Sequence, residues 1–179
     1  MKIIIKSILI FSLSIVYSYS ACNFKVKLGA NKSDFEKLEI TGPPLPSEYE
    51  NLYIYGVLAE DVCPNENLND VALEYKFLND ELIAINLIAL NDYTNQVSEK
   101  LTLMNYVKRN YGDFDTSNNP KSYIGFEVIE KVNEFIIYQR LINDDATIDE
   151  QIYISNPEQD NKFMEYVKNL EEQQLKEEQ

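Results

Sequence analysis

The stretch "VALEYKFLNDELIAINLIAL", residues 71–90, decides the fold. Val71, Leu73, Tyr75 and Phe77 alternate with Ala72, Glu74, Lys76 and Leu78, which is the period of a strand with one buried face. "LND", residues 78–80, supplies a tight turn, since Asn and Asp tolerate the backbone angles that such turns demand. Residues 82–90 are then apolar on both parities except at Asn86, so this strand is expected at the centre of a sheet, covered on both faces. The stretch reads as an antiparallel hairpin with its second strand inside the molecule.

Upstream of the hairpin, "NLYIYGVLAEDVCP", residues 51–64, contains a strand at about 52–58. Before it lies "TGPPLPSE", residues 41–48, whose three prolines remove three backbone donors and make a linker or an extended arm. Residues 31–38, "NKSDFEKL", suit a short helix with Ser33 as N-cap and Glu36 completing a capping box. "NKS" at Asn31 is also a glycosylation sequon, relevant to a eukaryotic source.

Downstream, residues 94–111 are expected to form the main helix, because Val97, Leu101, Met104, Val107 and Tyr111 share one face and Gly112 stands just beyond. Strands follow at 123–130, 134–142 and about 147–154. A last helix is capped by Asn156 with Pro157 in its first turn, and carries a stripe of Phe163, Val167 and Leu170 with Met164 beside them. Past Leu170 the run "EEQQLKEEQ" should fray into solvent. The order is α-βββ-α-βββ-α, and the fold class is α+β, an antiparallel sheet packed by helices on one side. Residues 74–92 and 126–144 both contain a strand, a polar turn and a long strand ending in "ND", which raises two related halves as a reading.

The N-terminus reads as an export signal. Lys2 and Lys6 precede an apolar run at residues 8–16, and Ser18 and Ser20 place small residues at −3 and −1 of a cut before Ala21. The domain organisation is a signal at 1–20, one α+β domain at 21–170 and an acidic tail at 171–179. The location is periplasmic or secreted, with a lipid anchor as a variant. Cys22 lies at the new end. Lipid attachment there would need a cut directly before it, tolerates Tyr19 poorly and leaves Cys63 alone. A Cys22–Cys63 disulfide uses both cysteines of the chain.

Composition excludes several chemistries. The chain has no His, so Ser-His and Cys-His nucleophilic pairs and imidazole metal sites are absent. The five glycines are scattered and form no phosphate loop. The formal net charge of −14 opposes nucleic acid and anionic lipid as partners. Membrane contact would follow only from a lipidated Cys22 or a retained signal. "DFDTS", residues 113–117, resembles the start of a calcium loop, but Asn118 stands where glycine is needed and Ile124 where the acidic last ligand belongs. An ordinary solvated loop is the better reading of Asp113 and Asp115. Arg140, inside an expected strand, should pair with a neighbouring carboxylate. No catalytic, cofactor-binding or metal-binding residue is assigned, and no cofactor is expected. The tyrosines are the distinctive side chains, and Tyr49, Tyr53 and Tyr55 are candidate interaction residues, although tyrosine is also an ordinary sheet residue.

"KLGANKSDFEKLEITGPP", residues 27–44, joins a leucine-glycine pair, a capped helix and a glycine-proline turn behind a signal and a cysteine. This resembles the start of small cell-envelope lipoproteins of the BamE/SmpA type, whose wider group shares a helix-plus-sheet fold with beta-lactamase inhibitor protein. "NYVKRNYGDFD", residues 105–115, is similar to the helix-then-"YG" phrase of envelope proteins with such repeats. The resemblance covers about a third of the chain and departs from the lipoprotein pattern at Tyr19. It implies a non-enzymatic role in binding another protein, as an envelope assembly factor or an inhibitor. The competing readings are a small enzyme or ligand carrier with a carboxylate-tyrosine pocket, and a structural surface protein.

Overall fold

The computed structural model describes residues 22–177 apart from Thr41, Glu48, residues 91–99, Asn118 and Ala146. The export signal and the first part of the expected main helix, Val97 included, lie outside the described residues. The elements run α1 (Lys32–Glu36), β1 (Leu52–Leu58), α2 (Ala59–Val62), β2 (Val71–Leu78), β3 (Glu81–Ala89), α3 (Thr102–Asn110), β4 (Gly125–Glu130), β5 (Phe135–Ile142), β6 (Ile148–Ser155) and α4 (Pro157–Glu177).

The β2–β3 hairpin forms as its pattern demands. Asn79 and Asp80 take φ of 48° and 68°, the twist that a two-residue hairpin turn needs to match its strands. The six strands form one antiparallel sheet in the order β1-β2-β3-β6-β5-β4. β3 is therefore interior, which is why it is apolar on both parities. A register shift opposite Lys76 and Phe77 inserts one extra residue into β3. Leu82 faces the main core, while Ile83 and Ala84 both join a second cluster on the opposite face.

The first three strands and the last three are arranged symmetrically about the β3–β6 contact, where Ile85 stands opposite Ile154 and Leu87 opposite Ile152. By that symmetry β2–β3 corresponds to β5–β6. The hairpins matched in the sequence occupy β2–β3 and β4–β5 instead, so the likeness of residues 74–92 to 126–144 reflects shared hairpin chemistry and not equivalent places in the sheet.

The main core lies between one sheet face and α1 to α3. Phe35 of α1 stacks against Tyr55, Tyr75 and Phe77 with ring centroids 4.6–5.2 Å apart. Leu103, Met104, Tyr106 and Val107 of α3 are buried over the β3–β6 junction. α4 lies against the other face, where Phe163 and Tyr166 pack on Leu52, Leu78, Ile83 and Ala84. The helices thus cover both faces, which corrects the one-sided packing expected from the sequence. The bulge supplies the reason, since it turns two successive apolar residues outward and leaves a surface that needs cover.

Four local details also differ from the sequence reading. α1 is capped by Asn31, whose Oδ1 accepts from Ser33 N at 2.9 Å, because the helix already begins at Lys32. Glu36 accepts from the Tyr55 hydroxyl instead of closing a capping box. α3 begins at Thr102, with Leu101 non-helical, and α4 stays helical past Leu170 although residues 171–176 are exposed. Asn156 does cap α4, accepting from Gln159 N at 2.9 Å.

Cys22 and Cys63 are joined in a disulfide with Cα atoms 5.5 Å apart. It ties the start of the described chain to the end of α2. A disulfide of this kind belongs to an oxidising environment. No helix among the described residues is long and apolar enough to cross a membrane.

Candidate interaction face

α4 is fastened over the β1–β3 half of its sheet face. Lys162 Nζ bridges both oxygens of Glu81 at 2.8 Å, and Gln159 Nε2 donates to Glu81 Oε1 at 2.8 Å. The Lys162 ammonium, helped by Gln159, holds the Glu81 carboxyl below the usual carboxylate range. Tyr153 donates to Asp160 at 3.1 Å, and the Tyr166 hydroxyl donates to Glu50 O. The bonds to Glu81 and Glu50 hold the helix over one half of the face, and the Tyr153 bond ties its first turn to β6. Beside it runs a shallow groove of 350 Å³, lined by Lys76, Asn86, Ile137, Gln151, Tyr153 and Met164 among others. Asn86, the polar exception in β3, is buried at its floor.

Beyond that groove no helix or strand among the described residues covers the β4–β5 half of the face. Phe126 is 70 % exposed and Val128 52 %, with Leu141 and, on the loop after β4, Val132 also exposed. Phe126 stands opposite Gln139 and Val128 opposite Ile137. Met164 of α4 is exposed on the far side of the groove. Exposed apolar side chains therefore stand on both sides of the groove, Met164 on α4 and Phe126 and Val128 on the outermost strand, with the polar residues of the groove between them.

The two sheet edges are treated differently. At β1, the proline arm lies alongside, and Leu45 N donates to Ile54 O at 2.7 Å. Gly56 makes room for this arm: a Cβ there would stand 3.3 Å from Leu45 Cδ1. At β4 no strand or bridge lies outside the sheet among the described residues.

The tyrosines singled out in the sequence do not share one surface. Tyr55 is in the core at 3 % exposure, which removes it from the interaction candidates; its position opposite Tyr75 turns it inward. Tyr53 is half-buried with the Lys32 ammonium 3.5 Å over its ring. Tyr49 is exposed and meets the edge of Tyr166. Phe126 and Val128 carry the exposed apolar surface instead. Their alternation with Glu127 was visible in the sequence, but it fits a buried stripe as well as an exposed one.

Two charged clusters have structural partners. Arg140 and Glu150 are cross-strand neighbours, fully buried, with Nη1 and Oε2 3.0 Å apart, so Arg140 has the carboxylate partner expected of it. Tyr138 donates to Glu150 Oε1 at 2.6 Å, and Arg140 Nη1 donates to Lys100 O at 2.9 Å. Burial pushes the Glu150 carboxyl up, against the opposing pull of Tyr138, Arg140 and the Met104 amide. α3 has no side-chain cap of its own. From the sheet, Arg140 holds the backbone carbonyl of Lys100 just before the helix begins. In the "DFDTS" loop, Lys108 Nζ donates to Phe114 O at 2.7 Å and lies 3.0 Å from Asp113. The loop closes on an ammonium from α3, and Asp115 accepts from Ser117 N at 2.7 Å.

A cleft of 460 Å³ opens beside the disulfide, with Phe24, Val26, Ile85 and Ile154 as apolar lining and Lys27 and Glu134 as its charged groups. Tyr111 also borders it, with its hydroxyl pushed well above the usual range by burial. Compared with known proteins, the chain matches no protein-family model, no curated protein and no solved structure.

Proposed function

We propose that the chain is an exported, non-enzymatic protein-interaction module, periplasmic or secreted, that binds its partner with the bare β4–β5 half of the outer sheet face. One observation carries this reading: Phe126 and Val128 are exposed side by side on a strand that no other segment covers among the described residues. Burying such side chains against a partner contributes about 1.5–3 kcal/mol each, the size of an interface anchor. The signal-like N-terminus and the disulfide support export.

The test is Phe126→Asp, made with the full chain and exported by its own signal. Phe126 touches no core cluster, so the thermal midpoint should stay within a few degrees of the original. Recovery of cross-linked partner from the envelope or medium fraction should fall about tenfold, the loss of one anchor. Undiminished recovery would exclude this face as the binding surface.

A further inference from the structure

The backbone of β4 shows how a partner can be held. Lys131 N donates to Glu134 O at 2.8 Å, which sets the phase of the β4–β5 ladder. In an antiparallel pair, hydrogen-bonded and non-bonded positions alternate. Ile129 with Ile136, Glu127 with Tyr138 and Gly125 with Arg140 are then the bonded pairs. The N–H and C=O groups of Phe126, Val128 and Glu130 point away from β5, out of the sheet. These same residues have exposed side chains. Free main-chain groups and bare apolar side chains thus coincide on one edge.

Native edges are usually protected by proline, lysine, a bulge or a covering segment. β1 has its proline arm, whereas β4, "GFEVIE", has no proline or lysine and no register shift against β5. Its only charges are Glu127 and Glu130, and neither has an ion-pair partner among the described residues. Glu127 accepts from the Tyr123 hydroxyl at 2.7 Å; burial and this carboxylate push that hydroxyl up to about 12, so it remains a donor. The chain as a whole carries −14.

We propose that β4 binds its partner by strand addition, and that the occupant is an extended segment of another protein alternating apolar and basic residues. Resting on the interaction reading above, this adds mode and chemistry. Apolar side chains of the added strand lie on the outer face beside Phe126 and Val128. Its lysines or arginines lie on the inner side, where Glu127 waits. A second copy of this chain is disfavoured by charge, because each copy is strongly acidic.

The test uses the full chain with short synthetic peptides, read by amide hydrogen exchange. A peptide alternating valine and lysine should slow exchange at Phe126, Val128 and Glu130 about tenfold at saturation. Its valine-glutamate counterpart should leave those amides unchanged. The valine amides are the ones that face β4 in the proposed register. Methylating the valine nitrogens should abolish protection, and methylating the lysine nitrogens should not, with the protein itself unaltered. Val128→Pro removes an outward donor only, and should weaken binding about tenfold while leaving the β5 ladder intact. Equal binding of the glutamate peptide, insensitivity to valine methylation, protection mapped to the α4 groove or the disulfide cleft, or self-association through β4 would each overturn the proposal. The two readings fail separately. A partner recovered equally by wild type and Val128→Pro but lost in Phe126→Asp leaves the interaction face standing and removes strand addition. Recovery unaffected by Phe126→Asp removes the face itself.

Discussion

At the residue scale, the disulfide and the Glu81 cluster make opposite kinds of contribution. The Cys22–Cys63 bond acts mainly on the unfolded chain, by closing a loop with a sequence separation of 41. Cys63→Ala should therefore lower unfolding free energy by about 4 kcal/mol in a urea titration. Reduction should lower the wild type by a similar amount and leave the variant unchanged. Glu81 acts on the folded state. Its folded pKa lies below the ordinary 4.5, so its contribution is present above that pH and is lost as the pH falls through the lower, folded value. Glu81→Gln should flatten this part of the acid limb in a plot of thermal midpoint against pH. Because the Glu81 side chain is 36 % exposed, the effect is small, and a low-salt buffer will show it best.

At the element scale, hydrophobic period identified most of the strands and left their surroundings open. The pattern of β2, alternately buried and half-buried, follows directly from its residues. α2 escaped the sequence reading because "AEDV" is four residues long and its helical turn is set by Cys63 N bonding back to Ala59 O. The start of α3 was equally hidden, since Arg140, forty residues distant in sequence, holds the carbonyl just before it from the sheet. α4 shows the limits of a stripe: Phe163 is half-buried as expected, yet Met164 is exposed and Tyr166 makes the second contact. Its last turns, residues 171–176, are exposed, so truncation after Leu170 should change stability by less than about 0.5 kcal/mol in thermal melts while reducing helical circular dichroism.

At the scale of the whole molecule, the main core joins residues of β1, β2, β3, β5 and β6 with α1 and α3, so neither three-strand half has a core of its own. Unfolding should be a single transition: circular dichroism, which reads the backbone, and tyrosine fluorescence, which reads Tyr75, Tyr106 and Tyr138 in the core, should give coincident urea curves. Separate transitions would mean that the two halves fold independently. By itself the sequence determined that residues 71–90 form a hairpin, that β3 is interior, and that Cys22 had one cysteine to pair with; each rests on local period, turn chemistry or simple counting. Tertiary structure alone decided the strand order, the side taken by α4, and which apolar residues stay bare. Those depend on how distant segments compete for the same surface. The bulge in β3 draws α4 over one half of the outer face, and the other half is left to Phe126 and Val128. In the sequence these look like any buried pair, because alternation marks which residues share a face and carries no information about what covers it.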